Sequence, residues 1–225
     1  MRSAVVAGVA LAGLVVAACS AEAAPISWTD WTSQGAQTVS GSLQVGATTV
    51  GVTYSGDYSF AQTAGGTNFW SPSTPYLSSA VDNAPPASDI VALSTGGTKT
   101  ITFSQAIVDP ILALVSWNGN VADFGTAIDV LSQGAGYWGS GTFVLNGSGT
   151  GFTGSGEAHG AIRLSGTFTS ITFTDTTEGW HGFTVGVTAL ADPGQPPVGV
   201  PAPAPLAMLA TGLLALIGVR RATRG

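Results

Sequence analysis

Apolar and polar residues alternate with a period of two at many places along the middle of this chain. Phe183, Val185 and Val187 alternate with Thr184 and Gly186, and the same pattern recurs over 50–54, 101–103, 128–130, 162–164 and 171–173. Such alternation places apolar side chains on one face of a strand and Thr or Gly on the other, as a half-buried antiparallel strand requires. No long stretch has the 3.6-residue period of an amphipathic helix. The pattern therefore predicts an all-β domain.

Clusters of Gly, Asn, Asp and Ser separate the alternating runs, at 55–57, 94–97, 117–120, 146–149 and 153–156. These residue types form tight turns. Some nine to eleven short strands at this spacing are typical of sandwiches and jelly rolls, so we predict an antiparallel, jelly-roll-like β-sandwich over residues 25–191. The continuously apolar run Ile111–Val115 predicts a central strand that is buried on both faces. The proline-containing segment Gly65–Pro86 predicts a long loop that lies over the sandwich.

The charged residues are few and mostly acidic. Residues 24–200 contain 11 acidic side chains and two basic ones, Lys99 and Arg163, so their net charge is 2 − 11 = −9. A domain this acidic repels phosphate backbones, which argues against nucleic acid as a partner. The single cysteine, Cys19, lies near the N-terminus, so the predicted domain has no disulfide.

The N-terminal residues 1–24 have the features of a secretory signal peptide. Arg2 is followed by the apolar or small-residue run Ala4–Ala18, and Ala21-Glu22-Ala23 supplies a small-x-small cleavage pattern. An alternative is that Val16-Ala17-Ala18-Cys19 is a bacterial lipoprotein signal in which the cysteine is lipidated. Both interpretations predict export.

The C-terminus has three parts in sequence. Residues 192–205 are rich in proline, which favours an extended stalk. Residues 206–219 are almost wholly apolar and predict a short transmembrane helix, roughly 21 Å long against a hydrocarbon core of about 30 Å. Residues 220–225 contain Arg220, Arg221 and Arg224 and predict a basic cytoplasmic tail. An ordinary single-span anchor is the alternative.

This C-terminus resembles the PEP-CTERM sorting signal, in its V-P-L-P-A-like variant. The residues that carry the resemblance are Val200, Pro201, Ala202, Pro203, Ala204, Arg220 and Arg221, and Ala202 stands where the variant has Leu. The segments Trp28–Trp31, Gly134–Gly139 and Glu178–Gly186 also resemble parts of PEP-CTERM proteins. The resemblance implies a Gram-negative host, an exosortase-type transpeptidase as partner and a link to exopolysaccharide or biofilm matrix. It supplies no catalytic residues.

Six tryptophans make carbohydrate a candidate ligand, because aromatic rings in loops can stack on sugar faces. Trp70, Tyr76, Tyr137 and Trp138 lie among Gly, Pro and Ser and are the predicted platform. Trp117 ends an apolar run and is predicted to lie in the core. Core packing is the alternative for every one of these rings, since large aromatic side chains contribute much of a domain's burial energy.

Two sets of residues could bind metal. The two histidines, His159 and His181, each have acids nearby, and could converge on one ion if their strands pair; these acids are Glu157, Asp175 and Glu178. Calcium is possible at either of two oxygen-rich loops, one with Asn118, Asn120 and Asp123 and one with Asp82, Asn83 and Asp89. The alternatives are ordinary loop hydrogen bonds and turn formation. No spacing signature is present, so we predict no cofactor and leave calcium open.

Features of an enzyme are scarce. No nucleophile elbow with a strand-turn-helix pattern is found, and Glu157 and Glu178 are the one pair that could act as glycosidase carboxylates. We therefore predict a non-enzymatic, exported surface or matrix protein that an exosortase-type system sorts, with a membrane and extracellular polysaccharide as further partners. A carbohydrate-binding module is the alternative, and a glycan-cleaving enzyme is the third possibility.

Overall fold

A computed structural model describes residues 25–192 of the chain. The predicted signal peptide at 1–24, the sorting motif at 200–204, the predicted helix at 206–219 and the basic tail at 220–225 lie outside the described residues, as does all of the proline-rich stalk except residue 192. Within residues 25–192, no helix has the length and apolar character needed to cross a membrane.

The described residues are almost entirely β-structure. The strands are β1 (Ser27–Trp28), β2 (Asp30–Gln34), β3 (Thr38–Val45), β4 (Thr48–Ser55), β5 (Phe60–Gln62), β6 (Ile90–Leu93), β7 (Gly97–Val108), β8 (Ile111–Trp117), β9 (Val121–Asp123), β10 (Ile128–Gly134), β11 (Gly141–Leu145), β12 (Gly151–Gly156), β13 (Ala158–Leu164), β14 (Thr167–Asp175), β15 (His181–Val187) and β16 (Ala189–Leu190). A short 3-10 turn covers Thr74–Tyr76. Eleven strands have five or more residues, which lies within the predicted range of nine to eleven strands. The five shorter strands exceed the predicted number.

The strands form two antiparallel sheets, which confirms the predicted all-β class. The first sheet has the order β10-β13-β8-β15-β6-β5, with β1 beside β15, and the second has the order β11-β12-β9-β14-β7-β4-β3-β2, with β16 beside β7. The apolar residues of the alternating runs lie between the sheets in a shared core. Val50, Val52 and Tyr54 of β4 are buried there, with Ile101 and Phe103 of β7. Hydrophobic burial between the sheets is the main source of stability.

Strand β8 is buried on both faces, as the apolar run Ile111–Val115 predicted. Leu112 and Leu114 point into the core between the sheets, whereas Ala113 and Val115 belong to a second apolar cluster on the outer face of the first sheet. The alternation breaks at Ser116, whose φ is +58°, and a register shift in β13 lies opposite. As a result Trp117, like Leu114, belongs to the core between the sheets.

The segment between β5 and β6 forms the predicted loop over the sandwich, and it packs on the outer face of the first sheet. Trp70, Tyr76 and Val81 are buried there against residues of β6, β8 and β13. Asn83 fastens the start of the described chain to this loop. Its Oδ1 accepts from the Ile26 amide at 2.7 Å, and its Nδ2 donates to the Ile26 carbonyl oxygen at 2.9 Å. The first sheet is therefore covered on both faces.

Candidate functional site

Several chain segments meet at one end of the first sheet. Strands β10, β8 and β6 end there, and β13, β15 and β5 begin there, because neighbouring strands are antiparallel. The pairing of Gly134 with His159 and of His181 with Leu93 marks this end. Loops on a rigid sheet are common positions for binding residues. The loops at this end carry the exposed aromatic side chains described next.

Tyr137 and Trp138 form the tip of a tight turn in the connection from β10 to β11. The Gly136 amide donates to the Gly139 carbonyl oxygen at 2.7 Å and closes the turn. Gly136 lies so close to the ring of His159 that a Cβ there would overlap the imidazole, and Gly139 has a φ of +143°. Glycine is therefore required at both positions for the turn to lie on β13. Tyr137 and Trp138 are left 41% and 54% exposed.

Three half-buried rings support the two exposed ones. We call Phe60, Phe69, Tyr137, Trp138 and Trp180 the aromatic cluster. Ring centroids of Tyr137 and Trp138 are 4.9 Å apart, and that of Phe69 lies 5.2 Å from Tyr137 and 4.9 Å from Trp180. Trp138 and Trp180 are 6.2 Å apart, and Phe60 stacks on Trp180 at 6.3 Å. These separations are those of favourable aromatic pairs, and the pairs that include Tyr137 or Trp138 are edge-to-face, so the cluster is a contiguous group of packed rings.

The structure divides the four predicted platform residues into two pairs. Trp70 and Tyr76 are buried under the loop between β5 and β6, with ring centroids 5.2 Å apart, so neither ring has a face open to a ligand. Tyr137 and Trp138 are exposed and adjacent. Trp117 is fully buried, as predicted. Trp180 is one of the six tryptophans but was not among the predicted platform residues, although the glycine that precedes it gives the same signal as the glycines around Tyr137 and Trp138.

Two carboxylates border the aromatic cluster. Glu157 precedes β13, and its oxygens accept hydrogen bonds from the Ser116 hydroxyl and, at 2.8 Å, from Nδ2 of Asn118. Glu178 lies two residues before Trp180, whose amide is 3.5 Å from Oε1. Burial raises the pKa of Glu178, and the charge of Glu157 adds to the rise. The two carboxylates are therefore close enough to influence each other.

Glu178 also touches a buried ionic network between the sheets. Its Oε2 is 3.0 Å from Nδ1 of His181, and Nε2 of the same ring is 3.0 Å from Oδ2 of Asp175. The other Asp175 oxygen is 3.2 Å from Nζ of Lys99. The side chains of Lys99, Asp175 and His181 are buried, so the charges of this network are screened little by water.

His159 lies under the aromatic turn and not with His181. Its Nδ1 accepts from the Ser116 amide at 3.2 Å and lies 3.4 Å from the Tyr76 hydroxyl. Burial lowers the pKa of His159, which favours the neutral ring. The two histidines thus face opposite sides of the first sheet, and the structure does not bring them to one metal ion. Among residues 25–192 no group of three or more His, Cys, Asp or Glu side chains is arranged to hold a metal.

The candidate calcium ligands have other contacts in the structure. Asn118 donates to Glu157, and Oδ1 of Asp123 accepts from the Gly125 amide at 2.9 Å. Asn120 is buried, and its side-chain oxygen and nitrogen have no hydrogen-bond partner within the described residues. In the second loop Asn83 binds the backbone of Ile26, and Oδ1 of Asp89 accepts from the Trp31 amide at 3.0 Å. Asn83 and Asp89 thus hold the start of the domain in place.

The aromatic cluster combines broad apolar ring faces with carboxylate and amide groups at its border. No family model, curated protein or solved structure matches this chain. The chemistry of the cluster is therefore the guide to its ligand. Apolar faces with a few fixed polar groups suit a ligand that itself has flat apolar faces and polar edges.

Proposed function

We propose that this chain is an exported, non-enzymatic protein of the bacterial surface or extracellular matrix, and that its domain binds polysaccharide through the aromatic cluster. Pyranose rings present apolar C–H faces and hydroxyl edges, which match the ring faces of Tyr137 and Trp138 and the acceptors of Glu157 and Asn118. The observation that carries this proposal is the exposure of the Tyr137 and Trp138 rings on a fixed turn. Large exposed aromatic patches are uncommon unless they bind something.

A binding assay with Trp138→Ala tests this proposal. We expect the full-length chain, purified in detergent, to bind at least one neutral polysaccharide, and Trp138→Ala to weaken that binding by about tenfold or more, as for an aromatic hot spot. The matched control is Val144→Ala, because Val144 is also 54% exposed and lies six residues further along the chain, outside the cluster. Affinity electrophoresis in gels containing each polysaccharide measures both. Equal retardation of the two variants would contradict the proposal.

The sorting part of the proposal rests on the order of segments at the C-terminus. A proline-rich stretch with Val200–Ala204 precedes a short apolar segment and three arginines. The signal at 1–24 would direct the domain outward, the apolar segment at 206–219 would stop transfer, and the arginines would stay in the cytoplasm. A short, weakly anchored helix suits a segment that is removed, and repeated prolines would keep the cleavage region extended.

We expect an exosortase-type enzyme to cut the chain near Pro201–Ala204. Mass spectrometry of the surface fraction should then find no peptide from residues 206–219 in the mature protein. A variant that lacks residues 200–204 but keeps residues 206–219 should not be cut. That result would show that the enzyme recognises the motif and not the hydrophobic segment alone. Recovery of peptides from 206–219 in the mature population would show a plain membrane anchor instead.

A glycan-cleaving enzyme is a second candidate function, and one observation favours it. Glu178 has a raised pKa beside a second carboxylate and an aromatic surface, as a general acid in a glycosidase requires. Incubation of the same polysaccharides with the chain, followed by an assay for new reducing ends, tests this candidate. Turnover that is lost in Glu178→Gln would replace the non-enzymatic proposal.

We also propose that the sandwich is jelly-roll-like, and the path of the chain supports this. From β6 to β16 successive strands alternate between the two sheets, except for the hairpin β11–β12, which stays in the second sheet. Strands that switch sheets in this way are a feature of double-sheet jelly rolls. The proposed architecture is therefore a jelly-roll-like β-sandwich followed by the predicted membrane helix at 206–219.

A further inference from the structure

We propose that the polysaccharide bound by the aromatic cluster is a polymer of amino sugars that carry free ammonium groups. This inference rests on the proposed glycan-binding function and specifies its ligand. Residues 25–192 contain 11 acidic side chains and two basic ones, Lys99 and Arg163.

Both bases are already paired. Lys99 is buried beside Asp175, 3.2 Å from its Oδ1, and Arg163 donates to Asp129 at 2.7 Å. A polysaccharide of uronic acids or sulfated sugars would therefore meet no unpaired base among the described residues. Its charges would instead face a domain of net negative charge, which disfavours association. Neutral and cationic glycans remain as ligands.

The carboxylates at the border of the aromatic cluster favour a cationic ligand. Gly139, which follows Trp138, packs on Glu157, since a Cβ there would lie 3.4 Å from Cγ of Glu157. Glu178 is two residues from Trp180 and within the electrostatic influence of Glu157. Each tryptophan of the cluster thus has a carboxylate next to it. An ammonium group placed there can contact both a carboxylate and the face of an indole ring.

Glu157 keeps the capacity to bind a ligand. Glu157 is oriented by neutral donors, the Ser116 hydroxyl and the Asn118 amide, so its charge is not cancelled and each oxygen has a further lone pair. The Oε2 atom of Glu178 is buried 3.0 Å from Nδ1 of His181, so Glu157 is the carboxylate at this border whose oxygens can bind an ammonium group. An ammonium group can therefore gain charge-assisted hydrogen bonds at this border without displacing a base.

Amino-sugar units match the cluster better than lysine side chains. A lysine presents one ammonium on a flexible stem, whereas a glucosamine unit presents an ammonium beside a rigid pyranose face. The cluster offers adjacent rigid rings in different orientations, because the planes of Tyr137 and Trp138 are inclined by 78° and those of Trp138 and Trp180 by 68°. Rigid faces that stack on rigid rings lose little conformational entropy on binding.

The test compares two oligosaccharides of the same length and linkage, one with free ammonium groups and one in which every amino group is acetylated and therefore neutral. Isothermal titration calorimetry of the full-length chain is carried out with a hexamer of glucosamine and a hexamer of N-acetylglucosamine, at a pH where the free amines are protonated. We expect the glucosamine hexamer to bind about tenfold more tightly, as an added cation–π contact and a charged hydrogen bond allow. That preference should shrink as salt is added, because the border is partly exposed.

Two variants distinguish the contribution of the carboxylate charges to binding from that of the aromatic ring faces. The double variant Glu157→Gln/Glu178→Gln keeps the side-chain shape and should bind both hexamers equally. Trp138→Ala should weaken the binding of both. Unchanged thermal midpoints show that the variants fold.

Equal binding of both hexamers, or tighter binding of a uronic acid polymer, would overturn the amino-sugar inference and leave the glycan-binding proposal standing. Failure of every glycan to bind would overturn both. Binding of a lysine oligomer with no binding of either hexamer would identify the site as one for cationic peptides and would also overturn this inference.

Discussion

Replacing Leu114 with aspartate should leave the domain unable to fold at neutral pH. Leu114 is fully buried in the central strand of the first sheet, where it pairs with Gly160 of β13 and Phe183 of β15. Keeping an aspartate neutral there at pH 7 costs about 4 kcal/mol, because its pKa must rise from about 3.9 to above 7. Loss of the leucine contacts costs about 2–5 kcal/mol more. The sum is comparable to the whole stability of a typical domain, about 5–15 kcal/mol.

Far-UV circular dichroism and tryptophan fluorescence of the purified chain measure this effect. The matched control is Leu145→Asp, which makes the same change at a side chain that is 43% exposed and should alter stability by less than about 0.5 kcal/mol. The variant Leu114→Asp should recover part of its structure near pH 4, since less free energy is then needed to protonate the carboxyl. A cooperative transition at the wild-type midpoint would show that β8 is not the central buried strand.

The sequence predicted which face of each strand is apolar, but not what covers the other face. In β15 the residues Phe183, Val185 and Val187 were predicted to be buried, and they are. Thr184 and Gly186 were expected to face solvent, yet they are buried too, because the start of the domain lies over them. A Cβ at Gly186 would overlap Ile26 and Trp28. A small residue on a strand is therefore compatible with solvent or with a close-packed neighbour, and alternation cannot distinguish the two.

The candidate site was predictable only in part, for a related reason. Glycines on both sides of Tyr137 and Trp138 indicated an exposed turn, and that turn is exposed. The prolines and serines around Trp70 and Tyr76 gave a similar signal, but that loop folds back and buries both rings on the first sheet. The contact between Trp138 and Trp180 depends on the strand order β10-β13-β8-β15. Strand order is set by contacts between residues far apart in sequence, so no local pattern shows it.

Replacing Asp175 with alanine should destabilise the domain by about 3–5 kcal/mol, the usual cost of breaking a buried ion pair from one side. Asp175 ends β14, and its two oxygens lie 3.2 Å from Nζ of Lys99 and 3.0 Å from Nε2 of His181. Without this carboxylate the buried Lys99 ammonium has the Thr95 carbonyl oxygen, 2.8 Å away, as its partner. A neutral carbonyl compensates poorly for the loss of hydration of a full positive charge. Urea denaturation of the purified chain measures the change.

Two further variants distinguish loss of an ion pair from general damage. Asp129→Ala removes the ion pair between Asp129 and Arg163, whose side chains are 51% and 38% exposed respectively. This change should lower the free energy of unfolding by less than about 1 kcal/mol. The double variant Lys99→Met/Asp175→Leu should recover most of the stability lost in Asp175→Ala, because it leaves no buried ammonium without a counter-charge. If Asp175→Ala costs no more than Asp129→Ala, water must reach Lys99 in the folded protein. The network between the sheets would then be hydrated.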